Sequence, residues 1–502
     1  MCCISWASNK ITNTIDDLLL AYYIVLYSPI LNYQIMPHCH KCILGTYTRN
    51  GKAMTTRREL LQNITQGITL ATLGCTTTSK QTDTALDAID LHPPEPEPWE
   101  PSEMIDWQMF PYGTQVGDVL ENSAMVMMHS GEESLQYRLM RGDGTEWVLD
   151  REESVALQDG FVQLEITELS ADTAYSISFF SGSSRANVAR FRTAVASDAW
   201  RIVRFGATSC LGGNLPWPNL SRAAEERFDF FLLLGDTVYV EADTPEGFWS
   251  FWDRALRQQG LRDLFSSTSV VATWDDHETK NNFDWDTVEN AALYYNYGLD
   301  AFRKGLPQRQ NSTGGIYRNL VHGELVEIFV LDCRGERHSS QGVYISDAQL
   351  QWLKQALSNS TARLKLIMNS VPITDFTDLL GNVEADDRWQ GYPEQRTEIL
   401  SHIEDNTISG CVWISGDFHF ALIAKVSPEG QVGSSMYEIL TGPSGSFLNP
   451  AGEYMVETEQ YQNAFAAWNY TSFTYNPQTD ELLVEFIGDD GAVLFERALV
   501  IS

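Results

Sequence analysis

Cysteine is scarce in this 502-residue chain, basic residues are outnumbered, and long apolar runs are missing after residue 75. Eight cysteines occur in all, but Cys2, Cys3, Cys39, Cys42 and Cys75 lie in the first 75 residues, leaving Cys210, Cys333 and Cys411 in the body. Three scattered thiols cannot build a disulfide framework, so stability must come from packing. Lys and Arg number 34 against 67 Asp and Glu, a formal charge of −33. That deficit of cations excludes duplex nucleic acid and anionic lipid surfaces as partners, because both are bound by neutralising phosphates with Lys and Arg. A small phosphate ester is not excluded, since a metal can hold it against the surrounding field. With no apolar stretch of about 20 residues past residue 75, the body is not a membrane-spanning bundle. No Gly-x-Ser-x-Gly nucleophile elbow occurs; Gly442-Pro443-Ser444-Gly445-Ser446 misses its last glycine. The P-loop and the dinucleotide-binding glycine fingerprint are absent as well.

What is present points to a folded, multi-part protein. Hydrophobic residues make up 43%, with 14 Trp, 20 Tyr and 23 Phe, which excludes a mainly disordered chain. The length predicts two to four domains at about 100–200 residues each. Residues 54–75 carry Arg57-Arg58 before a short, weakly apolar stretch and resemble a twin-arginine export signal. Leu73-Gly74-Cys75 resembles a lipoprotein cleavage box, with Thr72 where Leu is usual, and would place a lipid anchor on Cys75. On that reading residues 1–53 are upstream sequence, and the product is periplasmic, cell-surface or extracellular. His38-Cys39-His40-Lys41-Cys42 has zinc-ligand residue types but no second paired motif at finger-like spacing. The first 75 residues hold six Lys and Arg and three Asp and Glu, leaving 28 against 64, a net −36.

Residues 76–100 are polar and then proline-rich, a semi-extended linker. Residues 101–196 show short alternating segments with turn residues every 8–12 positions, the pattern of an immunoglobulin or fibronectin III-like β-sandwich. Leu169 to Tyr175 resembles the tyrosine corner of fibronectin type III modules, without the usual proline. This segment has no convergent polar cluster, so a structural or shielding role is expected. Residues 197–502 alternate apolar strands with helices expected around 247–263, 286–305, 347–358 and 395–404. The strands Ile202–Ala207, Phe228–Leu234, Val270–Trp274, Leu325–Leu331, Leu364–Asn369, Cys411–Ser415 and Tyr437–Leu440 are near-continuous apolar runs, as for strands buried on both faces. Ser346 and Gln349 are spaced as a capping box, and Leu482–Ile487 with Val493–Val500 reads as a hairpin. The expected fold class is α/β with an antiparallel end, preceded by an all-β domain.

Several of these strands finish in metal-ligand residue types. The first leads to Cys210, the second to Gly235-Asp236-Thr237-Val238-Tyr239, and the third to Asp275-Asp276-His277-Glu278 with Asn281-Asn282 beyond. Leu325–Leu331 leads to Asp332-Cys333-Arg334, and Cys411–Ser415 to Gly416-Asp417-Phe418-His419. In an α/β sheet, residues past the carboxyl ends of strands converge on one crevice. Singly, each piece has an ordinary explanation: a turn with an Asx cap, a satisfied core histidine, a cysteine filling apolar space. Jointly they read as a hard-ligand metal centre with a cationic clamp. Asp236 has two oxygens with which to bridge two ions. Tyr239 would ligate as a phenolate only beside a strongly acidic cation such as Fe³⁺.

In this order the motifs resemble the PhoD-type alkaline phosphatases and phosphodiesterases of the calcineurin-like metallophosphoesterase superfamily. The resemblance rests on Cys210, Gly235-Asp236-x-x-Tyr239, Trp274 to Glu278 with Asn282, Asp332-x-Arg334, Trp352-Leu353, Asp387-x-Trp389-x-Gly391-Tyr392 and Gly416-Asp417-x-His419. It covers roughly residues 100–500. It implies a four-layer αββα sandwich, a centre of Fe³⁺ and Ca²⁺, and hydrolysis of small phosphate mono- or diesters by a metal-bound hydroxide, for phosphate acquisition. By carry-over Asp236 bridges; Cys210, Tyr239 and His419, with Asp417, serve the iron; Asp276 and Asn282 serve the calcium side, with Asp275, Asn281 and Asp417 as competitors. His277 and Arg334 would face the phosphoryl oxygens. The residues after His419 are apolar (Phe420-Ala421-Leu422), a departure from the family that leaves the outer wall of the pocket open. A monomer is expected. The alternatives are a purple-acid-phosphatase-like monoesterase, whose Gly-His-x-His ending is absent, and a surface-anchored binding protein with a degenerate metal domain.

Overall fold

The structure is a computed structural model that describes residues 95–376 and 385–501, together with a two-residue strand pair, Thr48–Arg49 with Lys52–Ala53. The chain divides into Met1–Asp87 and Ala88–Ser502, and the second unit holds both large sheets and the site. The Arg57-Arg58 pair, Cys75, the His38 to Cys42 cluster and most of the proline-rich linker lie outside the described residues. Among the described residues no helix is long and apolar enough to cross a membrane.

The N-terminal part of this unit is all strand: β1 Met104–Ile105, β2 Gln115–Gly117, β3 Ala124–His129, β4 Ser134–Asp143, β5 Glu146–Ala156, β6 Phe161–Ile166, β7 Ala174–Ser181, β8 Ser184–Arg185 and β9 Ala189–Arg192. Six of them form one sheet, β1-β8-β7-β4-β5 with β9 added on β7. The other three continue the first sheet of the following segment, through a parallel pairing of Gly117 in β2 with Val270. A core of Val116, Val126, Met128, Leu139, Tyr175, Ile177, Phe179 and Phe191 fills the space between them. The Tyr175 hydroxyl accepts from the Ser170 N–H at 2.9 Å, the upstream backbone bond that defines a tyrosine corner.

Two mixed sheets make the centre of the rest. The first has β10 Val203–Thr208, β11 Phe230–Leu234 and β12 Val270–Thr273 running parallel. The second runs from β13 Arg318–His322 through the parallel strands β14 Val326–Val330, β15 Leu364–Met368 and β16 Cys411–Ser415, and then, out of chain order, to β18 Tyr437–Leu440, β17 Ala421–Lys425 and β19 Tyr461–Phe465. Antiparallel β20 Asn469–Asn476, β21 Glu481–Gly488 and β22 Val493–Val500 complete the first sheet beside β10, the last two as the expected hairpin.

Alternation along each strand assigns its two faces. Leu232 and Leu234 of β11 meet Ile328, Val330, Leu366, Met368 and Ile414 of the second sheet, forming a sheet-on-sheet core. Their neighbours Phe231 and Leu233 point the other way, onto Phe248, Trp252, Leu264 and Phe302. Those residues belong to the helices α2 Pro245–Leu256, α3 Gln259–Ser267 and α4 Ala291–Gly305, which with α1 Pro218–Ala223 cover that face. Phe329, Ile367 and Trp413 pack likewise on Leu353, Leu357, Ile399 and Ile403 of α5 Asp347–Asn359 and α6 Pro393–Asp405. Both faces of the central strands are therefore largely apolar, which is why they read as near-continuous hydrophobic runs despite Arg204, Glu327 and Lys365.

Three expectations are corrected. The helix around 247–263 is two helices, broken between Leu256 and Gln259. The helix expected from residue 286 begins at Ala291, because Asp284 and Asp286 are engaged in turns that bind Ser339 and Ser340. Ser346 does cap α5, accepting from the Gln349 N–H at 3.2 Å, but the return arm of the box is missing. The Gln349 side chain instead bonds Asp332, and the Ser346 N–H goes to Glu336.

Candidate metal centre

Parallel strands put their carboxyl ends on one side, so the tips of β10, β11, β12, β14 and β16 deliver their following residues to the same place. Backbone bonds lock these tips together. The Cys210 N–H donates to Gly235 O at 3.2 Å, Leu211 to Asp236 O at 2.8 Å, and Val240 to His277 O at 3.0 Å. Gly235 sits at φ 100°, and a Cβ there would meet Asp275 N at 2.7 Å, so only glycine lets Asp236 approach Asp275. Cys210, Asp236, Asn282, Asp417 and His419 all lie in the left-handed region, at φ 54°, 55°, 55°, 65° and 58°. Each such residue costs on the order of 1 kcal/mol and persists only where its surroundings over-determine it, a pattern that concentrates at functional sites.

Two groups of ligand atoms result. Cys210, Asp236 and His419, all buried, bring one donor atom each within 4.8 Å of one another; Asp236, Asp276 and His277 do the same. Asp236 belongs to both. The Tyr239 hydroxyl joins the first group, 3.1 Å from Asp236 Oδ2 and 3.1 Å from His419 Nε2. His277, half-buried, lies with its ring against Tyr239, centroids 4.0 Å apart. Asn282 is exposed; its N–H donates to Asp276 Oδ2 at 2.5 Å and its carboxamide oxygen accepts from Asn281. Asp417 lies beside Arg334, 3.9 Å away.

Arg334 departs from its expected role as a phosphoryl clamp. It is fully buried, and its Nε and Nη2 donate to Asp275 at 2.6 and 3.2 Å, while Nη1 and Nη2 donate to Asp387. Every nitrogen of the fork is thus engaged with protein carboxylates. Arg334 organises the acidic cluster, and Asp275, being paired with it and with the Ser370 hydroxyl, is not a spare ligand. Glu278 is a second organiser: its carboxylate accepts from the N–H groups of Asp236, Thr237 and Asp275. Asp275 and Glu278 form a reciprocal capping box, a spacing visible in the sequence. Asp387 also binds Arg337, at 2.7 Å, and carried no chemical signal beyond its place in a motif.

The electrostatics call for cations. Burial, followed by repulsion from Asp276 and Asp275, pushes the Asp236 carboxyl well above its ordinary range. Burial and then Asp275 and Asp387 do the same to Asp417. Burial raises the Cys210 thiol and the Tyr239 phenol, with Asp236 adding to both. His419 is driven down to about 3, by burial and then by His277, so its imidazole is neutral and able to ligate. For Asp276 the cost of burial is overcome by His277, Arg334 and the Asn282 N–H, which hold it at about 2. Asp276 Oδ1 and His419 Nδ1 are buried with no hydrogen-bond partner. A thiol, a phenol, a neutral imidazole, a shared carboxylate and orphaned donor atoms fit a pair of metal ions.

Protein stripped of metal is therefore expected to lose stability as pH rises. The folded Asp236 and Asp417 carboxyls, and Glu278, raised to about 8 chiefly by burial, keep protons that the unfolded chain has released above about pH 4. Unfolding then liberates protons, so the stabilisation is complete below about pH 4 and fades as pH climbs through the folded values. Asp276 acts in the opposite sense, but only in acid. Thermal denaturation of chelated protein from pH 4.5 to 8 should give a falling midpoint, and a rising one would contradict this charge balance.

The comparisons with known proteins agree with this geometry. The family model for PhoD-like phosphatase matches residues 205–486. Alkaline phosphatase D of Bacillus subtilis (strain 168) is 21% identical over 335 residues, covering 55% of this chain and 58% of that protein. The chain thus spans less than two thirds of that relative's length. The solved structure of PhoD superposes with a TM-score of 0.67 at 18% identity, covering 80% of this chain and 90% of the other. A purple acid phosphatase from yellow lupin, Lupinus luteus, gives a TM-score of 0.56 at 12% identity, covering 78% and 74%. Both likenesses show a metallophosphoesterase-type fold.

Proposed function

The chain belongs to the PhoD-like phosphatase family, and on that footing we propose that it hydrolyses small phosphate mono- and diesters at a centre of Fe³⁺ and Ca²⁺. The observation that carries the proposal is Asp236, buried and common to both ligand groups. Cys210, Tyr239 and His419, with Asp417 nearby, would hold the iron; Asp276 and the Asn282 side would hold the calcium. When bound, such ions polarise the phosphoryl group and activate the attacking water. The chain's own groups do the rest. His277, half-buried against the Tyr239 ring, is placed to hydrogen-bond a phosphoryl or leaving-group oxygen. Arg334 and Glu278 hold Asp275, Asp236 and the turn between them in register. The resemblance of residues 54–75 to a twin-arginine export signal supports an exported enzyme serving phosphate acquisition, with a lipid anchor at Cys75 as its attachment. Residues 101–196 would shield or buttress the catalytic segment.

Hydrolysis of bis(4-nitrophenyl) phosphate by protein matured in its own host is the direct test. Chelation should lower the rate by on the order of 10³-fold and re-addition of metal restore it, since each ion contributes several kcal/mol to the transition state. A Tyr239→Phe variant should lose any visible phenolate-to-iron absorption. A chelator-insensitive rate would sink the metal reading, and an unaltered spectrum would remove Tyr239 from the ligands. A purple-acid-phosphatase-like monoesterase is the second reading, favoured by the fold likeness to the lupin enzyme. Comparing monoester with diester rates separates the two.

A further inference from the structure

The two halves of the candidate iron group come from different sheets. Cys210 follows β10 of the first, and His419 follows β16 of the second. Among the described residues no backbone hydrogen bond runs directly from residues 416–419 to the tips that carry Cys210 and Asp236. The apolar contact between the sheets is non-directional and sets their spacing only loosely, whereas ligand atoms must be held to about 0.5 Å. The segment after β18 supplies the connection. It leaves on the second sheet, where the Thr441 N–H donates to Ser415 O at 2.8 Å. It crosses to the first, where Pro443 pairs with Ser209 and the Ser444 N–H donates to Ser209 O at 3.1 Å. Gly445 and Ser446 then donate their N–H groups to Cys210 O at 3.3 and 2.9 Å. So close an approach needs glycine, since a Cβ at Gly445 would meet Leu211 O at 2.5 Å. At Asn449 the segment returns to His419.

Asn449 is half-buried and engages both ends of its side chain and of its backbone. Its N–H donates to His419 O at 3.0 Å, and its carboxamide Nδ2 donates to Phe418 O at 3.1 Å. Its Oδ1 accepts the N–H of Ala451 at 3.0 Å, an Asx turn opening the short helix α7 Ala451–Tyr454, and its carbonyl accepts from Gly452. Ala451 requires the amide oxygen and Phe418 the amide N–H, so the carboxamide can face only one way. One residue thus holds the consecutive carbonyls of Phe418 and His419. The peptides there need holding, because Asp417 and His419 sit at φ 65° and 58°, a conformation that persists only where its surroundings over-determine it. Beyond His419, Phe420-Ala421-Leu422 is buried in and before β17, which fixes the chain on the other side.

We propose that Asn449 is a positioning residue of the metal centre. By locking the carbonyls of Phe418 and His419 to a segment that also holds Cys210, it sets the distance at which the imidazole meets the thiol. The inference rests on the metal-centre reading and deepens it. Asn449 acts through His419 rather than by ligating.

Titration of the metal-free, full-length protein with Co²⁺ tests it, read by thiolate-to-cobalt absorption, which needs no turnover. In Asn449→Ser the hydroxyl can still accept from the Ala451 N–H, but the shorter side chain cannot also reach Phe418 O. In Asn449→Ala both bonds are lost. Cobalt affinity should fall by about tenfold or more in both variants, the usual loss when the partner that orients a metal ligand is removed. The metal-free denaturation midpoint of Asn449→Ser should stay at the wild-type value. An Asn449→Ser protein that binds cobalt as wild type does overturns the positioning role and leaves only the turn. An affinity that falls in step with the midpoint overturns it as well. Wild-type protein that takes up no cobalt overturns the metal-centre reading instead. The ¹⁵N spectrum of the histidine rings in metal-free protein then decides the lock. A His419 signal, identified by its loss in His419→Gln, that shifts in Asn449→Ser supports it, and one that stays in place overturns it.

Discussion

Asp236→Asn is expected to lower kcat/KM for a phosphodiester by on the order of 10³-fold or more and to remove at least one equivalent of bound metal. The substitution is nearly isosteric, so what it changes is charge. Asp236 is 2% exposed and the one residue shared by both ligand groups, with Oδ2 toward Tyr239 and Oδ1 toward the His277 N–H, 3.4 Å away. A carboxylate there can offer an anionic oxygen to each of two ions, whereas a carboxamide offers one neutral oxygen and a pair of donors. The metal-free variant should nevertheless be more stable than metal-free wild type at neutral pH. Burial and the neighbouring Asp276 and Asp275 already disfavour the ionised Asp236, and the amide removes that repulsion. Metal analysis and a denaturation midpoint on the same preparation check both halves. Normal turnover with full metal content would refute the shared-ligand role, and a lower metal-free midpoint would refute the electrostatic account.

Much of this site was legible because of where its residues stand rather than what they are. Cys210, Asp236, Asp276, His277 and His419 each follow a predominantly apolar strand, and parallel strands leave their next residues little choice of direction. The facing of the two sheets follows from the same runs, since a strand apolar on both sides needs two covers. What the sequence hid was governed by partners far along the chain. Arg334 looked like a free cation because Asp387, which occupies it, lies 53 residues away. Strand β5 carries Asp150, Arg151, Glu152 and Glu153 and is mostly exposed, so no apolar alternation announced it. The proposed boundary near residue 196 followed a real change of pattern, yet β2, β3 and β6 extend the first central sheet. Buried Asp118 binds Arg318 at 2.6 Å across that line, a pairing that no local signal could reveal.

Arg334→Met should destabilise the fold by about 3–5 kcal/mol, the usual cost of removing one partner from a buried charge network. The guanidinium is wholly buried and stands between Asp275 and Asp387, with Asp417 at 3.9 Å. Methionine fills similar volume but leaves those carboxylates facing one another without a cation, so they must take up protons or separate. Asp387 retains Arg337 at 2.7 Å, whereas Asp275 keeps only neutral donors such as the Ser370 hydroxyl, so Asp275 should bear most of the cost. Adding Asp275→Asn to Arg334→Met should therefore recover part of the loss, because deleting charges from both sides of a buried pair is far cheaper than deleting one. Chemical denaturation of the single and double variants, with metal removed from all samples, measures the coupling. A phosphoryl clamp behaves differently. Its loss would raise KM or lower kcat while leaving the denaturation midpoint in place, and Asp275→Asn would rescue nothing. A stable Arg334→Met protein with only a kinetic defect would return Arg334 to the substrate; a destabilised one partly repaired by Asp275→Asn keeps it as the cation that holds the acidic cluster together before any metal arrives.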